Sequence, residues 1–489
     1  MSGADAGPLV VAIDQGTSST KVACVDRAGH LVREVGVAIG QHHPRPGWVE
    51  QDAVEILDSV RTAVLEASAG LEDRVVALGL SSQRESAVVW DRATGTPVGP
   101  MLGWQDRRTV ELVDGLAPHA TRIREITGLP LDPMFSAVKF AWLLDQVDPD
   151  RRRSRRGELA VGTVDSWLLT ALTGEHRIET GNASRTQLLD IATGAWSPEL
   201  TELFDIPEAV LPQVRASDEV GAPAADLRGL RFHAVLGDSH AALYGHGVRE
   251  PGQVKVTYGT GSSVMGLSGA GDAPAGLVGT IAWRLGDAAP QRAVEGNILS
   301  TGATLAWLSR LLGREVGELA ALARTAPADH GVVLVPAVAG LGAPYWDGSA
   351  RAVLHGFDLG TDAAALARAG VESIVHQVED VLSAADAAGP VRAVYADGAP
   401  ARDDTLMQLQ ADVSEREVLR PEAAALSVLG AAELAAVSAG LAPTREQRTA
   451  RFTPQSDPEQ TRTARAAWHH AVGLARTTAS RDARHEGEQ

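Results

Sequence analysis

Hydrophobic and polar positions alternate along this chain in two recurring ways, which predict strands and helices in turn. Residues 75–81 form an unbroken run of apolar and small side chains, which is typical of a buried strand. Residues 53–67 instead carry apolar side chains at helical spacing, including Ile56, Val60 and Val64, and this predicts an amphipathic helix. Segments of the two kinds follow one another, so we expect an α/β architecture in which helices cover the sheets.

The same pattern extends over the rest of the chain. It predicts further strands at residues 230–236, 332–335 and 391–396, and further helices at residues 135–144, 164–172, 300–312, 363–385, 405–413, 424–439 and 459–476. The final dozen residues are polar, and we expect them to be frayed.

One short pattern occurs twice: an apolar strand, a turn rich in Gly, Thr and Ser, and a second apolar run. It covers residues 9–22 and again residues 254–265. Such a turn directs backbone N–H groups and hydroxyls to one point, which suits a phosphate. Either segment alone fits an ordinary β-hairpin. The repetition, together with Asp14 at the end of the first strand, favours two related halves that bind one nucleotide.

Length and charge limit the possible functions. A chain of 489 residues is too long for one core and is expected to form two large domains. The net charge of -18 argues against nucleic acid as the main partner, because phosphate backbones attract basic surfaces. The local basic run at residues 151–156 is better interpreted as a solvated helix face or loop.

Cysteine content and hydropathy indicate a cytoplasmic protein. Cys24 is the single cysteine, so an intramolecular disulfide is excluded, which fits a reducing compartment. Its position in an apolar strand favours a small core residue over a nucleophile. The N-terminus lacks a signal-peptide pattern, and no apolar run approaches the roughly 20 residues of a membrane helix.

Two aspartates stand where predicted strands end. Asp14 lies beside the first Gly-Thr-Ser turn, where a carboxylate is well placed to hold Mg²⁺ directly or through water; it could equally cap the turn. Asp238 follows the predicted strand at residues 230–236 and begins a run of small residues. It could cap a helix or accept the proton of an attacking hydroxyl.

A third group of polar residues follows the strand at 75–81. Arg84 and Glu85 are adjacent, and together they could donate to and accept from vicinal hydroxyls. The indole of Trp104, about twenty residues on, could pack on the carbon face of a polyol. A surface ion pair and a core tryptophan are the alternatives for these residues. The small residues at 395–400 would let a flat ring approach the backbone.

Together these residues resemble the FGGY family of carbohydrate kinases, and within it the glycerol kinase branch, from about residue 9 to residue 452. The motifs that carry the resemblance are, in chain order, Asp14-Gln15-Gly16-Thr17, Pro46-Gly47-Trp48-Val49-Glu50, Gln83-Arg84-Glu85, Trp104-Gln105, Asp132-Pro133, Gly162-Thr163-Val164-Asp165, Asn182-Ala183-Ser184-Arg185-Thr186, Gly237-Asp238, Tyr258-Gly259-Thr260-Gly261, Gly340-Leu341-Gly342-Ala343-Pro344-Tyr345-Trp346 and Leu429-Gly430-Ala431-Ala432. Each motif alone is weak, and the ordered set is specific.

The resemblance implies two ribonuclease-H-like domains of the actin, Hsp70 and sugar kinase type, with the active site in the cleft between them. We expect an N-terminal domain at residues 8–249, a C-terminal domain at residues 250–455, and a helix with its tail at residues 456–489. The implied reaction is phosphorylation of a terminal hydroxyl of a small polyol or sugar by ATP, with Mg²⁺. Family members often form homodimers or homotetramers, so either assembly is compatible with this sequence.

The resemblance also implies a role for individual residues. Asp238 falls on the catalytic base, and both Asp14 and Asp238 fall near the metal. The other implied contacts are with the acceptor, at Arg84, Glu85, Trp104, Met134, Asp238 and Ser239; with phosphates, at Thr17, Ser18, Ser19, Lys21, Thr260, Gly261, Gly302 and Ala306; and with the adenosine, at Ala399 and Asp403.

Several positions depart from the glycerol kinase pattern. Met134 stands for a usual Tyr, Ser239 for a usual Gln and Ser263 for a usual Phe, all on the expected acceptor side. Each lost polar partner is worth about 0.5–1.5 kcal/mol, and the smaller Ser263 opens space. These changes favour a larger polyol or a ketose. Asp106 points the same way, since an acid after this Trp recurs in pentulose kinases.

The nucleotide side and a regulatory loop depart as well. Ala399, Asp403 and Ala306 replace a usual Gly, Asn and Gln. The Gly-rich loop that binds a sugar bisphosphate in some bacterial glycerol kinases has no counterpart at residues 222–232, so we expect no such feedback.

Three classes of function remain to be compared. The leading hypothesis is an ATP-dependent kinase of a small polyol or ketose, for which glycerol is one candidate acceptor and erythritol-like tetritols and xylulose or ribulose are its rivals. An actin- or Hsp70-like ATPase would have no use for the pair Arg84 and Glu85. A non-catalytic sugar sensor would not need Asp238 or both phosphate turns.

Overall fold

The computed structural model describes residues 7–269, 271–446 and 448–486 of the chain, in two compact units. Unit 1 contains the described residues of segments 1–247, 279–293 and 425–446, and unit 2 those of segments 248–278, 294–424 and 447–489. This division differs from the predicted domain bounds. The first change-over near residue 250 agrees, but segments 279–293 and 425–446 return to unit 1.

The strands are, in chain order, β1 (Leu9–Gln15), β2 (Ser19–Val25), β3 (Leu31–Ala38), β4 (Glu50–Gln51), β5 (Val75–Ser82), β6 (Val88–Asp91), β7 (Thr96–Pro97), β8 (Met101–Leu102), β9 (Leu159–Gly162), β10 (Arg177–Glu179), β11 (Leu189–Asp190), β12 (Ala195–Trp196), β13 (Gln213–Arg215), β14 (Pro223–Ala224), β15 (Leu230–Gly237), β16 (Gln253–Tyr258), β17 (Ser262–Leu267), β18 (Val278–Trp283), β19 (Gln291–Ile298), β20 (Val333–Val335), β21 (Val353–His355), β22 (Ala393–Gly398), β23 (Glu417–Pro421) and β24 (Thr449–Phe452).

The helices are α1 (Ala53–Ser68), α2 (Val110–Leu116), α3 (Ala120–Thr127), α4 (Ser136–Val147), α5 (Arg152–Arg155), α6 (Val164–Thr173), α7 (Thr180–Ser184), α8 (Pro198–Leu203), α9 (Asp238–Gly245), α10 (Gly302–Leu312), α11 (Val316–Ala323), α12 (Ala363–Ala385), α13 (Asp404–Ser414), α14 (Leu426–Ser438) and α15 (Pro458–Glu486).

Unit 1 is built on a six-stranded sheet in the order β14-β15-β5-β1-β2-β3. Strands β15, β5 and β1 are parallel, and β2 and β3 are antiparallel additions. Apolar side chains such as Ile13, Leu78 and Leu80 are fully buried, as expected for strands covered on both faces. Parallel neighbours end at one edge of the sheet, and the candidate site residues of unit 1 follow these ends.

Small residues allow α14 to pack closely against unit 1. A Cβ at Gly430 would lie 1.9 Å from the carbonyl oxygen of Ala241 in α9, and a Cβ at Gly245 would lie 2.1 Å from the carbonyl oxygen of Leu426. A Cβ at Gly79 would similarly lie 2.4 Å from the carbonyl oxygen of Ala431 in α14. These glycines explain why residues 425–446 belong to unit 1 although they lie far along the chain.

Unit 2 contains a sheet in which β17, β16, β22, β23 and β24 are neighbours in that order. Strands β16, β22 and β23 are parallel, while β17 and β24 are antiparallel to their neighbours. The long helix α12 supplies buried Ile374, Val375 and Val378 to the core of this unit. The repeated hairpins of the sequence are therefore β1–β2 in unit 1 and β16–β17 in unit 2.

Most of the predicted elements are confirmed, with ends that differ by a few residues. The helix predicted at 363–385 coincides with α12, and Cys24 is a buried core residue whose thiol donates to the carbonyl of Ala67. The last helix is longer than predicted: α15 continues to residue 486, and the end of the expected frayed tail, residues 487–489, lies outside the described residues. No helix in the described part of the chain combines the length and the apolar character that crossing a bilayer requires.

The basic run at residues 151–156 is exposed at Arg152, Arg155 and Arg156, as the sequence predicted, but not at Arg151. Arg151 is buried, and its guanidinium donates to the carbonyls of Asp148 and Asp205 and to the carboxylate of Asp145. Arg153 pairs with Asp91 at 2.7 Å. These two arginines of the run therefore form ion pairs with aspartates of the same unit.

Candidate active site

Three parallel strands of unit 1 end side by side. The pairing register places Gln15 of β1 and Gly237 of β15 opposite Ser82 of β5. In α/β folds ligands bind at the carboxyl ends of parallel strands. Five of the predicted acceptor and metal contacts lie in or directly after these strands: Asp14, Arg84, Glu85, Asp238 and Ser239.

Asp238, the predicted base, is the first residue of α9, and Gly237 rather than Asp238 occupies the N-cap position. Its Oδ1 accepts a hydrogen bond from the backbone N–H of Ser239 at 2.6 Å and lies 3.4 Å from Nε of Arg84. A Cβ at position 237 would lie 2.7 Å from Cδ of Arg84, so glycine makes room for that side chain. The Asp238 side chain is 42% exposed, which leaves it accessible to a ligand.

The surroundings of Asp238 make it a stronger base than a free aspartate. Desolvation by the surrounding protein raises its pKa, and the nearby charges of Glu85 and Asp14 act in the same direction. The guanidinium of Arg84 opposes the rise by favouring the ionised form. A raised pKa improves proton acceptance, and the remaining exposure lets a hydroxyl reach the carboxylate.

Arg84 and Glu85 are held rigidly beside Asp238. Both are buried, and Nε of Arg84 lies 3.8 Å from Oε1 of Glu85. The same Oε1 accepts a hydrogen bond from Nε of Arg185 at 2.6 Å. Glu85 has a φ of 57°, an unusual backbone conformation for a residue with a side chain. Such strain is common at functional sites, and here it accompanies a carboxylate fixed next to a cation.

Asp14 is held by two serines at the end of β1. Its Oδ1 accepts from the hydroxyl of Ser81 at 2.8 Å and its Oδ2 from the hydroxyl of Ser427 at 3.0 Å. Burial raises the pKa of Asp14, while the two serines and the charge of Lys21 oppose the rise. Ser427 belongs to α14, so the close packing of that helix brings this serine to Asp14.

The first Gly-Thr-Ser turn joins β1 to β2. Gly16 donates its N–H to the carbonyl of Ser19 at 3.0 Å, and the amide of Gln51 donates to the carbonyl of Thr17 at 2.8 Å. Ser18 and Lys21 are exposed at this turn. The turn is therefore anchored from inside the fold and presents polar groups outward, as a phosphate site requires.

Trp104 contacts this turn directly. Its indole Nε1 donates to the hydroxyl of Thr17 at 3.1 Å, and the side chain remains 40% exposed. The neighbouring Asp106 is the acid whose position after this Trp, by resemblance to pentulose kinases, favours a larger acceptor. It is fully buried and accepts hydrogen bonds from the backbone N–H of Val49 and from the guanidinium of Arg108, so its role is structural.

The two remaining acceptor-side candidates in unit 1 are Met134 and Ser239, and both are half-buried. Met134 precedes α4, and its N–H donates to Oδ1 of Asp132 at 2.8 Å. Ser239 lies next to Asp238 in α9. Ser263, the third departure, lies in unit 2, where its hydroxyl donates to Oε1 of Glu295 at 3.3 Å.

The second of the two turns, Gly259-Thr260-Gly261 in unit 2, packs on the start of α10. The carbonyl of Thr260 accepts from the N–H groups of Thr301 and Ala303, and Gly302 donates to the carbonyl of Gly259. A Cβ at Gly302 would lie 2.7 Å from that same carbonyl oxygen. A glycine at this helix start therefore lets the turn sit against a helix N-terminus, a favourable place for phosphate oxygens.

The other predicted nucleotide contacts lie elsewhere in unit 2. Ala306 is one turn further along α10, and Ala399 is exposed just after β22. Asp403 caps α13, because its Oδ1 accepts from the N–H groups of Thr405 and Leu406. Helix capping is therefore a sufficient structural role for Asp403.

Sequence reasoning missed several residues that hold the site together. Ser81, Ser427 and Arg185 contact predicted site residues directly, and Lys139 contacts the backbone of two of them. Arg185 lay in a motif that resembled the family, which was the one signal available for it.

Comparison with known proteins identifies the family of the chain. The model for the FGGY family of carbohydrate kinases, N-terminal domain, matches residues 9–243, and the model for the C-terminal domain matches residues 254–439. A glycerol kinase of Citrifermentans bemidjiense is 41% identical over 488 residues, which cover 95% of this chain and 98% of that protein.

Solved structures show the same fold. The crystal structure of Plasmodium falciparum glycerol kinase with ADP superposes with a TM-score of 0.90 at 26% identity, covering 96% of this chain and 98% of the other. The ligand-bound xylulose kinase of Lactobacillus acidophilus gives a TM-score of 0.86 at 20% identity, covering 96% and 97%. The predicted two-domain α/β fold is confirmed, and the chain belongs to the FGGY family of carbohydrate kinases.

Proposed function

We propose that this protein transfers the terminal phosphoryl group of ATP to a terminal hydroxyl of glycerol or of a polyol of similar size. The observation that carries the proposal is the cluster of Asp238, Arg84 and Glu85, in which an accessible carboxylate lies beside a buried cation and a buried acid. The similarity to glycerol kinases over 95% of the chain supports glycerol as the first acceptor to test.

In this proposal each acceptor-side residue has a distinct task. The guanidinium of Arg84 donates to hydroxyl oxygens of the acceptor, and Glu85 accepts from its hydroxyl protons. The exposed indole of Trp104 packs against the carbon chain. Because Arg185 and the surrounding fold fix Glu85 before the acceptor binds, little binding free energy is lost in ordering the site.

Asp238 acts as the general base. Its carboxylate takes the proton of the terminal hydroxyl as the hydroxyl oxygen forms a bond to the γ-phosphorus of ATP. The bond from that phosphorus to the bridging oxygen breaks, ADP leaves, and the proton remains on Asp238 until it is released. The backbone N–H groups and hydroxyls of the first turn, including Thr17, stabilise the charge on the transferred phosphoryl group.

The nucleotide and the metal are inferred from the family and from the chemistry of the site. Thr17, Ser18, Ser19 and Lys21 of unit 1, and Thr260, Gly261, Gly302, Ala306, Ala399 and Asp403 of unit 2, are the proposed nucleotide contacts. Asp14 and Asp238 fit Mg²⁺, because two carboxylates whose charges oppose each other are stabilised by a cation. When bound, Mg²⁺ neutralises phosphate charge.

A site with two carboxylates is consistent with this metal in particular. The described residues contain no group of three or more acid, histidine or cysteine ligands. Mg²⁺ commonly uses one or two carboxylates and completes its shell with water and phosphate oxygens. The homodimer or homotetramer and the cytoplasmic location expected from the sequence stay predictions.

Mg-ATP turnover to ADP with purified protein tests the function. The acceptors are glycerol, erythritol, the pentitols, dihydroxyacetone, xylulose and ribulose, each compared with no acceptor. A preference for glycerol supports the proposal and shows that Met134 and Ser239 are tolerated. A preference for a longer polyol or ketose would assign these two positions to specificity, and turnover that no acceptor stimulates would contradict the proposal.

A further inference from the structure

A buried lysine connects three separate segments of unit 1. Lys139 lies in α4 and has no exposed surface. Its ammonium Nζ donates three hydrogen bonds, each to a backbone carbonyl oxygen: to Glu85 at 2.8 Å, to Gly103 at 2.7 Å and to Met134 at 2.6 Å. An ammonium has three N–H donors, so these three carbonyls use all of its hydrogen-bonding capacity.

Each of these carbonyls belongs to a segment that carries a proposed acceptor contact. The first is that of Glu85 itself, the second directly precedes Trp104, and the third is that of Met134. The three segments are far apart in sequence, and the bonds from one side chain bring them to a common point.

We propose that Lys139 is a positioning residue that fixes the backbone of the acceptor site, by holding the segments of Glu85, Trp104 and Met134 at one ammonium group. This inference rests on the proposed function for its effect on the acceptor. The holding of the three segments is independent of which reaction the protein catalyses.

The backbone at Glu85 shows why such a clamp is needed. Its φ of 57° is unfavourable for a residue with a side chain, so this conformation persists only where the surroundings determine it. Lys139 holds the carbonyl of the residue, and Arg185 holds its carboxylate. Without the bond from Lys139, the backbone of Glu85 would be free to change conformation, because the contact with Arg185 holds only the carboxylate.

The three hydrogen bonds favour the charged form of Lys139, which burial disfavours. Burial lowers the pKa of Lys139 to about 7, although the nearby carboxylates of Glu85, Asp106 and Asp132 oppose the decrease. A neutral amine has two N–H groups and could serve only two of the three carbonyls. Three acceptors within hydrogen-bond distance therefore match the charged form, which has three N–H groups.

The test compares Lys139→Met, which removes all three bonds, with Lys139→Gln, whose amide can keep up to two. Arg151→Met is the matched control, because Arg151 is also a buried cation of unit 1 that donates to three backbone carbonyls, two of them at 3.0 Å. Hydrogen exchange is measured on peptides that cover residues 84–86, 103–105 and 133–136. Acceptor kinetics and ADP binding are measured on the same folded samples.

We expect Lys139→Met to speed exchange in all three segments by about tenfold or more, and to lower kcat/KM for the acceptor about 10- to 100-fold. ADP affinity should stay within about twofold. Lys139→Gln should show smaller changes of the same kind. Arg151→Met should lower the melting temperature while exchange in these segments and the acceptor KM stay as in the wild type.

Wild-type exchange in the three segments of a folded Lys139 variant would overturn the inference, as would a wild-type kcat/KM for the acceptor. If Lys139→Met does not fold, Lys139→Gln is judged by the same criteria. If the wild-type protein shows no acceptor-dependent turnover, the proposed function fails, whereas the exchange data still decide whether Lys139 holds the segments.

Discussion

The indole Nε1 of Trp104 donates a hydrogen bond to the hydroxyl of Thr17 over 3.1 Å. Trp104 is the proposed wall of the acceptor site, and Thr17 belongs to the first phosphate turn. The backbone carbonyl of Thr17 also accepts a hydrogen bond from the side-chain amide of Gln51. The side-chain oxygen of Gln51 in turn accepts from the amide of Gln83, which is next to Arg84. The acceptor wall and the phosphate turn are thus linked by one direct bond and by one chain of amides.

A double-mutant cycle measures the direct link. Trp104→Phe keeps an aromatic ring but removes the donor, and Thr17→Val keeps the shape but removes the acceptor. Each variant should lower kcat/KM, and the pair should be non-additive by about 1 kcal/mol, the usual value of such a bond. Effects that add within about 0.3 kcal/mol would show that the bond does not couple the two sites.

Replacement of the proposed base should affect chemistry much more than binding. Asp238→Asn removes the proton acceptor, so kcat should fall roughly 10²–10⁴-fold while ADP affinity changes little. The control is Asp226→Asn, which alters an exposed aspartate paired with Arg61 and should keep wild-type kcat. Near-normal turnover by Asp238→Asn in steady-state assays would rule out its role as the base.

The fold could be predicted from the sequence to a large extent because its elements are local. Apolar periodicity located α1, α12 and β5 almost to the residue, and the two hairpins appeared as a repeated string. The return of residues 425–446 to unit 1 could not be predicted, because it depends on close contacts of Gly245 and Gly430 that no local pattern encodes.

The sequence suggested residues that would contact a ligand, but it did not reveal the residues that hold them in place. Asp14 and Asp238 stand at strand ends and so were visible. Lys139 and Ser427 lie inside helices, where a lysine or a serine has no distinctive pattern until the fold shows what it touches. The burial of Asp106 and its pairing with Arg108 could not be predicted either, because the sequence does not show which cation it meets.

Fructose 1,6-bisphosphate should not inhibit this protein. Residues 222–232 form a tight antiparallel hairpin of β14 and β15 rather than a Gly-rich loop. The cations of this segment are already engaged, since Arg228 pairs with Glu72 at 2.8 Å and Arg231 donates to the carbonyl of Gly221. Turnover assayed with millimolar sugar bisphosphate should match turnover without it. Inhibition that Arg228→Ala with Arg231→Ala relieves would contradict this.

The packing of α14 should be sensitive to a single methyl group. In Gly430→Ala the new Cβ would meet the carbonyl of Ala241 at 1.9 Å, so α14 must shift, and Ser427 shifts with it away from Asp14. We expect a loss of about 1–3 kcal/mol in the free energy of unfolding, together with a lower kcat.

Gly115→Ala in α2 is the matched control for that variant. A Cβ there meets nothing within 4 Å, so the substitution should be neutral or stabilise by up to about 1 kcal/mol. Urea denaturation of both variants decides the matter. Equal stability of Gly430→Ala and the wild type would show that the helices are not in the close contact described here.

The buried acid Glu179, at the end of β10, should make stability depend on pH. Glu179 accepts from the hydroxyl of Ser217 at 2.5 Å and from the N–H of Asn182 at 2.8 Å. Burial raises the pKa of Glu179 to about 8, with a small contribution from the charge of Asp165, although the hydrogen bonds from Ser217 and Asn182 oppose the rise. The ordinary pKa of this group in an unfolded chain is 4.5.

The sign of the effect follows from proton binding. Between pH 4.5 and about 8 the folded protein holds the Glu179 proton and the unfolded chain does not, so unfolding releases a proton. The stabilisation from this group is therefore fully present below pH 4.5 and is lost as pH rises toward 8, by about 5 kcal/mol at most. Glu179→Gln mimics the protonated form at every pH and lacks this dependence.

Denaturation of both proteins at several pH values between 5 and 8 reports on Glu179, because titrating groups that do not interact with it cancel in the difference. The free energy of unfolding of the wild type, minus that of Glu179→Gln, should decrease steadily as pH rises. A difference that stays constant would mean that Glu179 is ionised in the folded protein throughout this range. In that case Ser217 and Asn182 would stabilise a buried charge, instead of serving a neutral acid.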